Sequence, residues 1–573
     1  MVRFYFLLAL LLVASGAGFA ALVLSSASYA EVAAFGSVYG WQPQAFTATT
    51  YQGLRAGLGG AALLALAAGW ALGLPRTLAG LGAALAGVGQ RLRASWWALP
   101  RRQRRLAAGL LVALTLLRLY YSLVLQAFDD GTSYEMFVSQ RLLVVSAGYP
   151  IPNNHVLSNL LDWLFYQLHP GFWWSMRLPV LLTSTGATGL WFLALLRRSS
   201  FRVALLAVGW FCMALDSLHL AAIGRGYWLL IGLGAVGFFS LLRLLPGPGL
   251  APGGPARRLA ALGLVLSSVL GLYTVPTHFL LVGPLYGWWG LQGLRRRSWP
   301  VLTEVAASGA LTLLGAGLLY TPLLLISGPE RLFFHRFMAP LPGPVFWRWT
   351  ADILTLRYQL LTLPLAAVGL LALLVLVRRA RAGHLPAALA RPLLQLGPLS
   401  AWLVLVPYLM AVAQRSIPPE RTLVYKAIYL FIGLALVADW ALRWAQRPAW
   451  VRAGLLAGSL VFALGQLGRL QAQERMWQVA FSRESARPSA EWLSRQVPGP
   501  VLAIGSSPRF LLHYYGPADF RRPPWRLDAV AQPGVRYRYL VLAPDEDLVY
   551  QGRALAGPAA ARCQPFAIFI VAK

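Results

Sequence analysis

The chain has 573 residues, of which 58% are hydrophobic and only 12% are charged, and its mean hydropathy is +0.60. This composition excludes a soluble globular protein and indicates one that lies largely in a lipid bilayer. The formal net charge of +31 does not indicate a nucleic-acid-binding protein, because the arginines lie between hydrophobic segments and form no basic stripe with exposed aromatic residues. With only two cysteines, Cys212 and Cys563, no disulfide framework is expected and a cysteine zinc site is excluded.

Apolar stretches recur along most of the chain. A helix that crosses hydrocarbon needs about 20 apolar residues, and about 13 segments meet this requirement. They cover roughly residues 4–26, 54–74, 106–126, 172–196, 203–219, 227–245, 258–275, 277–294, 300–326, 359–377, 393–414, 423–442 and 452–470. The pair that flanks Pro276 leaves this count open.

The arginines also predict how the chain crosses the membrane. When alternate connections are assigned to opposite sides, most basic residues fall on one side, which the positive-inside rule makes cytoplasmic. An odd number of spans then places the N-terminus inside and the polar C-terminal segment outside. Arg3 before an apolar run, with Ser28-Tyr29-Ala30 after it, is also consistent with a cleaved signal peptide, which would not alter the orientation downstream.

The segment at residues 127–171 is the first large outer connection. Apolar residues recur in it at helical spacing and predict two amphipathic helices along the outer surface. These residues are Tyr134, Phe137, Val138 and Leu142 in the first helix, and Leu157, Leu160, Leu161 and Leu164 in the second. Between them, residues 149–155 form a turn rich in Pro and Asn, at a level that solvent, headgroups and substrates reach.

Asp129 and Asp130 follow the third predicted span directly, so both carboxylates are expected at the outer membrane surface. A carboxylate there could deprotonate an acceptor hydroxyl as a general base. Two acids at this position also suit the N-terminus of the next helix, where Asp is a favoured cap. The pair alone leaves both interpretations open.

Two cationic positions near the outer ends of spans suggest an anion site. Arg225 lies in a very short outer turn, and an ion pair with Asp216 on the preceding helix is the alternative to ligand binding. Lys426, one of only two lysines, lies about one turn inside a span that follows Glu420 and Arg421. These cations could bind a lipid phosphate, although snorkelling of Lys426 to the headgroups explains that lysine equally well. Arg118, within the third span, has no evident partner in the sequence.

Two further segments lie outside the spans. The outer connection at residues 327–358 mixes Phe and Trp with charged residues, which suits either a cover for a donor site or simple interfacial anchoring. Those charged residues are Arg331, His335, Arg336, Arg348 and Arg357. After about residue 471, VLAIGSS, YRYLVLA and FAIFIVAK read as strands and PRFLLHYYG as a short helix, so we predict a small α/β domain. It contains no residues at the spacing of a catalytic triad, a phosphate-binding loop or a zinc site. We expect this domain to help dock an acceptor.

Four motifs in the first half of the chain occur in the order seen in one family. They are Asp129-Asp130-Gly131, YPIPNNHVLSNLL, FWWSMRLPVLL and LDSLHLAAIGRGYWLL, within roughly residues 106–245. In these motifs the chain resembles the GT-C membrane glycosyltransferases, particularly the branch that contains protein O-mannosyltransferases, aminoarabinose transferases and bacterial dolichyl-phosphate-mannose-protein mannosyltransferase-like proteins. Beyond residue 245 the resemblance is mainly one of hydropathy.

The resemblance implies roles for several residues. Asp129 falls on the position of the catalytic base, and Asp130 stands where relatives often have Glu, so the pair is identified as catalytic without a choice between its members. The residues that match motifs facing the same cavity are Asn153, Asn154, His155, Arg177, Arg225 and Tyr227. With Glu420, Arg421 and Lys426 they form the predicted substrate-binding set. No metal and no other cofactor is predicted to be required, since no spacing of His, Asp and Glu indicates a metal site.

The sequence therefore predicts an all-α polytopic membrane protein of GT-C-like fold with about 13 transmembrane helices, amphipathic outer-surface helices and a small C-terminal α/β domain. The predicted domains are residues 1–105, the catalytic core 106–245, further spans in 246–470 and an extracytoplasmic domain 471–573. The resemblance implies an inverting glycosyltransferase of the bacterial cytoplasmic (inner) membrane.

The implied partners are a polyprenyl-phosphate-linked sugar, membrane lipid and an acceptor that is a protein, lipid or glycan, with no nucleic acid. Two alternatives remain: a flippase for lipid-linked sugars that does no chemistry, and a non-catalytic scaffold of envelope assembly.

Overall fold

The computed structural model describes most of the chain as helices followed by a small sheet. The described residues are 1–38, 47–125, 129–148, 154–245, 254–329, 340–352, 359–416, 420–444, 449–480, 483–504, 527–528, 535–542, 549–550, 553–554, 561–563 and 566–570. The helices are α1 Val2–Ser25, α2 Tyr29–Val38, α3 Ala48–Ala71, α4 Leu74–Trp97, α5 Arg101–Val124, α6 Asp129–Ser133, α7 Leu142–Ala147, α8 Val156–Leu168, α9 Leu178–Arg198, α10 Phe201–Met213, α11 Leu215–Ala222, α12 Tyr227–Leu244, α13 Pro255–Thr274, α14 Phe279–Arg295, α15 Trp299–Ser327, α16 Gly343–Asp352, α17 Gln359–Arg381, α18 Ala387–Gln414, α19 Tyr425–Trp444, α20 Ala449–Ala480 and α21 Arg483–Ser494.

The predicted polytopic helical architecture is confirmed. Within the described residues, ten helices are long and apolar enough to cross a membrane, or eleven if α10 and α11, which meet at a bend of 69°, form one span. The predicted spans at 277–294 and 359–377 correspond to α14, which has only 17 residues, and to α17, in which the side chains of residues 359–365 lie outside the described part.

Helix α4 has no counterpart among the predicted spans. It starts after Gly73, whose φ of 84° turns the chain sharply after α3, and it packs against α9 and α13. Its polar residues, among them Arg76, Arg91 and Arg93, keep it below the apolar content of a span, so a search for continuous hydrophobic stretches overlooks it. Such amphipathic helices are recognised by periodicity and not by mean hydropathy.

The first outer connection contains short helices where two amphipathic helices were predicted. α6 runs into a π-helical turn at Tyr134–Val138, and α7 and α8 follow. Phe137 and Val138 are buried as predicted, whereas Leu164 in α8 is 53% exposed. The predicted turn at 149–155 is described only from Asn154 onward.

Arg118 of α5 lies inside the helical bundle and has partners that the sequence did not indicate. Its Nη1 donates to the carbonyl of Ser184 at 3.0 Å, and its Nη2 donates to Sγ of Cys212, also at 3.0 Å. The guanidinium carbon lies 4.3 Å from the ring centroid of Trp228. These contacts with α9, α10 and α12 compensate much of the cost of a buried cation and join four helices.

Helices α9 and α12 pack side by side and run in the same direction. Both begin at one end of the bundle, where Arg177 precedes α9 and Gly226 precedes α12. Both finish at the opposite end, with Arg197 and Arg198 in the last turn of α9 and Arg243 in that of α12. We call these the site end and the arginine end, and the positive-inside rule predicts that the arginine end is cytoplasmic.

The C-terminal sheet confirms the small α/β segment. Its strands are β1 Val501–Ile504, β2 Leu527–Asp528, β3 Tyr539–Leu542, β4 Val549–Tyr550, β5 Arg553–Ala554, β6 Ala561–Cys563 and β7 Phe566–Ile570. Five strands form a sheet in the order β2-β1-β3-β7-β6, with β1 parallel to β2 and β3 and the remaining pairs antiparallel, while β4 pairs with β5. α21 covers it through Trp492, which contacts Tyr539 edge to face at 6.0 Å. The helix predicted at PRFLLHYYG lies outside the described residues.

Candidate functional site

Asp130 is the centre of the polar contacts at the site end. Its side chain is completely buried, and its Oδ2 accepts hydrogen bonds from Nε of Arg177 at 2.8 Å and from the backbone N–H of Gly224 at 3.0 Å. Oδ1 accepts from the backbone N–H of Gly131 at 3.0 Å. Three donors, one of them a guanidinium, therefore fix the position of this carboxylate.

Arg177 ties the first outer connection to two helices. Besides the ion pair with Asp130, its Nη1 donates to the carbonyl of Ser122 at 2.7 Å and to that of Leu125 at 2.6 Å, which satisfies carbonyls at the end of α5. Its guanidinium carbon lies 5.3 Å from the ring centroid of Phe172. These contacts brace the first outer connection, and the substrate-binding role of Arg177 stays a prediction.

Arg225 lies beside Asp130 but does not pair with Asp216. It is only 6% exposed, and its Nη1 donates to Oγ of Ser133, the last residue of α6. Asp216 is exposed at the start of α11. The alternative of an Arg225–Asp216 ion pair is therefore not formed, and Arg225 points into the buried region between α6, α8 and α12.

His155 and Tyr227 form a buried aromatic pair in the same region. Their ring centroids are 4.5 Å apart in an edge-to-face arrangement, and both residues are almost completely buried. Burial, with the charges of Arg225 and Arg421 adding to it, holds the pKa of His155 well below its usual range. The imidazole is therefore neutral at physiological pH. Neither of its nitrogens has a hydrogen-bond partner among the described residues.

Gly226 allows this close packing. A Cβ at this position would lie 2.8 Å from Cβ of Ser158, 2.9 Å from Nδ1 of His155 and 3.0 Å from Cγ2 of Thr274. Any other residue would push α8 and α13 away from the start of α12.

Asn154 holds the polar turn in place. Its Nδ2 donates to the carbonyl of Gly148 at 2.9 Å, and its Oδ1 accepts from Nδ2 of Asn159 at the same distance. Asn154 and Asn159 are both buried, so this short network is structural. Asn153, predicted together with Asn154, lies outside the described residues.

Asp162 of α8 belongs to this site although the sequence analysis did not single it out. It is 1% exposed, and burial raises its pKa well above the usual range. The charge of Arg225 and the hydroxyl of Ser158 act in the opposite direction, while Asp130 adds to the rise. An acid on the buried face of an amphipathic helix, in the run LLDWLF, is the signal that could have identified it, since unpaired burial of Asp is rare.

The remaining predicted residues lie at the site end of α19 or outside the described side chains. Lys426 is the second residue of α19, and its Nζ lies 4.3 Å from the ring centroid of Tyr408. Arg421 is exposed within the 3₁₀ turn Glu420–Leu423, and its charge acts on His155. Asp129 begins α6, next to Asp130. The side chains of Asp129 and Glu420 are outside the described part of the structure.

The aromatic outer connection is described only in part. α16 has Phe346 buried and Trp347 58% exposed, which suits an interfacial helix. Arg331, His335, Arg336 and Arg357 lie outside the described residues. Within the described ranges, no three His, Cys, Asp or Glu residues come together as ligands for a metal ion.

No family model matches this chain, and no curated protein matches its sequence. Solved structures do match. ArnT from Cupriavidus metallidurans bound to undecaprenyl phosphate is similar with a TM-score of 0.53 and 17% identity, over 80% of this chain and 97% of that chain. The apo form of the same ArnT gives a TM-score of 0.52 at 16% identity, over 81% and 98%. ArnT is an aminoarabinose transferase of the GT-C superfamily. The chain therefore has the GT-C fold.

Proposed function

We propose that this protein is an inverting glycosyltransferase that moves a sugar from a polyprenyl-phosphate donor to an acceptor at the extracytoplasmic face of the membrane. The shared fold supports this proposal, because the similar ArnT structure was solved with undecaprenyl phosphate bound. The membrane-spanning helices give such a donor a place for its lipid tail. The buried polar groups at the site end give its phosphate and sugar a place at headgroup level.

The assignment of roles rests on the hydrogen bonds that the Asp130 carboxylate already accepts. Its carboxylate already accepts from Arg177 and from two backbone N–H groups. A general base must be accessible to the hydroxyl that it deprotonates, and the Asp130 side chain is completely buried with three donors already bound to it. We therefore assign the base to its neighbour Asp129 and a positioning role to Asp130.

In the proposed reaction the Asp129 carboxylate takes the proton of the acceptor hydroxyl. The acceptor oxygen forms a bond to the anomeric carbon while the bond from that carbon to the phosphate oxygen breaks, so the configuration inverts. The polyprenyl phosphate leaves with the negative charge. Arg225, Arg421 and Lys426 are the cations at the site end that we assign to this developing charge.

The absence of a nucleotide from the proposed reaction follows from the predicted orientation. Activated nucleotide sugars are cytoplasmic, whereas the positive-inside rule places the site end outside. A flippase that carries lipid-linked sugars without chemistry is the second candidate. The buried Arg225, His155 and Asp162 favour chemistry at one end, since a flippase needs a path for the headgroup across the whole bilayer.

The test is sugar transfer in liposomes from a panel of radiolabelled polyprenyl-phosphate sugars to crude envelope acceptors. Wild type is compared with Asp129→Asn and with Glu31→Gln, a matched change at an exposed acid that pairs with Arg141. The proposal predicts transfer by wild type and Glu31→Gln only. If no protein transfers sugar but all of them move labelled lipid across the membrane, the flippase interpretation replaces the enzyme.

A further inference from the structure

A large cavity opens at the arginine end, opposite the proposed active site. It has a volume of about 1190 Å³, and α4, α9, α12, α13, α14, α17 and α18 contribute to its wall. Among the described residues, eight arginines line it and no Asp or Glu does; the arginines are Arg91, Arg197, Arg198, Arg243, Arg295, Arg296, Arg381 and Arg391. This concentration of positive charge around one cavity favours the binding of an anion.

Acidic side chains near this end of the bundle are engaged elsewhere. Glu304 pairs with Arg257 at 2.5 Å, and Asp439 pairs with Arg443 at 3.1 Å. Within the described part of the chain, none of the eight cavity arginines forms a salt bridge with a carboxylate. The positive-inside rule accounts for arginines at this end, but it does not require them to surround a common space.

An apolar groove continues from the cavity. It has a volume of about 410 Å³ and shares Arg197, Arg198 and Arg243 with the cavity wall. Away from those arginines it is lined by aliphatic and aromatic side chains of α4, α9, α12 and α13, including Leu85, Val88, Leu190, Val236, Phe239 and Leu266. Along α12 it extends from Arg243 to Leu233, which is about 15 Å of helix.

The joined cavity and groove have the chemistry of an amphiphile with an anionic head. A free phosphate or nucleotide would use the arginines and leave the groove empty, whereas an acyl chain would use the groove and leave the arginines without a counter-charge. We propose that this is a binding site for an anionic phospholipid whose headgroup carries two phosphates, with the phosphates among the arginines and an acyl chain in the groove.

This site is separate from the proposed donor site. The two lie at opposite ends of α12, whose 18 residues make a helix about 27 Å long. The proposal therefore stands whether or not the glycosyltransferase assignment is correct.

The test measures thermal unfolding of the purified full-length protein in detergent with added cardiolipin, phosphatidylcholine or inorganic pyrophosphate. The cavity variant combines Arg197→Gln, Arg198→Gln and Arg243→Gln. Its matched control combines Arg101→Gln, Arg102→Gln and Arg105→Gln, which removes equal charge at the start of α5, outside the cavity lining. A third variant, Val236→Trp, fills the groove at a residue that is 37% exposed.

We expect cardiolipin to raise the unfolding midpoint of wild type and of the control, and phosphatidylcholine and pyrophosphate to have much smaller effects. The cavity variant should bind cardiolipin about 100-fold more weakly, since each arginine near an anionic lipid contributes roughly a factor of five. Val236→Trp should weaken the response to cardiolipin while any response to pyrophosphate stays as in wild type.

Equal stabilisation of wild type and the cavity variant by cardiolipin would overturn the proposal, as would no stabilisation of wild type. A response to pyrophosphate as large as that to cardiolipin, with no effect of Val236→Trp, would identify a site for free phosphates and reject the lipid.

Discussion

Nε of Arg177 lies 2.8 Å from Oδ2 of Asp130, and both side chains are almost completely buried. This ion pair joins the helix that follows α5 to the turn that precedes α9, and the N–H of Gly224 connects the same carboxylate to the segment before α12. Two ends of the α5–α9 connection and the segment between α11 and α12 therefore meet at one carboxyl group. Their geometry fixes the backbone beside Asp129, which precedes Asp130 at the start of α6.

Loss of one partner from this pair should destabilise the protein strongly. Arg177→Met leaves the Asp130 carboxylate buried without its counter-charge, which typically costs about 3–5 kcal/mol. Arg141→Met, which removes a solvent-exposed ion pair with Glu31, should have a much smaller effect. Thermal unfolding in detergent measures both, and the double variant Asp130→Leu with Arg177→Met should recover part of the loss. Equal unfolding midpoints for Arg177→Met and Arg141→Met would contradict the bracing role.

The helical architecture could be predicted from the sequence because continuous apolar stretches and the arginine distribution follow directly from the cost of burying polar groups in lipid. The tertiary partners of single charged residues could not. Arg118 has Ser184 and Cys212 as partners in other helices. Neither partner lies at a regular sequence spacing from Arg118, so no sequence pattern indicates the contact. α4 was missed for a different reason: its arginines lower the mean hydropathy of the segment below that of a membrane span.

Close packing around Gly226 predicts that a single added methyl group will disturb the site. Gly226→Ala places Cβ within 3 Å of Ser158 and His155, so we expect a loss of about 1–3 kcal/mol and a marked fall in sugar transfer. Gly186→Ala in α9 is the control, since nothing lies within 4 Å of its added Cβ. Thermal unfolding and transfer assays on the two variants give the comparison. A Gly226→Ala protein as stable and active as Gly186→Ala would show that the packing at the start of α12 is not needed.

His155 and Asp162 should give opposite pH dependences of stability. The buried His155 has a lowered pKa, so the unfolded chain binds its proton more tightly and stability falls as the pH drops below about 6.5. The buried Asp162 has a raised pKa, so the folded protein binds its proton more tightly and stability rises as the pH drops toward about 4. Each contribution approaches about 1.4 kcal/mol per pH unit.

Unfolding midpoints of the His155→Phe and Asp162→Asn variants between pH 7.5 and 5 measure these contributions. Relative to wild type, His155→Phe should gain stability as the pH falls, and any advantage of Asp162→Asn should shrink over the same range. If the differences in unfolding midpoint from wild type do not change with pH, neither His155 nor Asp162 has the shifted pKa on which this prediction rests.

Arg225 should matter more for turnover than an exposed cation at the same end. Arg225→Gln removes a charge that we assign to the departing phosphate, and we expect kcat to fall about 10²- to 10³-fold. Arg225→Lys should retain part of the activity because it keeps the charge. Arg55→Gln, at an exposed residue of α3, should leave kcat unchanged. Steady-state kinetics of sugar transfer give kcat and KM for each variant. A change confined to KM for the acceptor would contradict a role in leaving-group stabilisation.

The site itself was predictable in part. The short motifs predicted one site from Asp130, His155, Arg177, Arg225 and Tyr227. The structure places all five at one end of the bundle, and their roles stay predictions. Their division of labour was not predictable, because it depends on which carboxylate meets Arg177 and the N–H of Gly224. Asp162 escaped notice because burial of an acid on an amphipathic helix is decided by what packs against that helix.

The central claim is that Asp129 is the general base of a polyprenyl-phosphate-dependent glycosyltransferase. The most direct measurement is sugar transfer by Asp129→Asn protein whose unfolding midpoint matches that of wild type. We predict that turnover falls by orders of magnitude while the donor lipid still binds. Full transfer activity in the folded Asp129→Asn protein would contradict the claim.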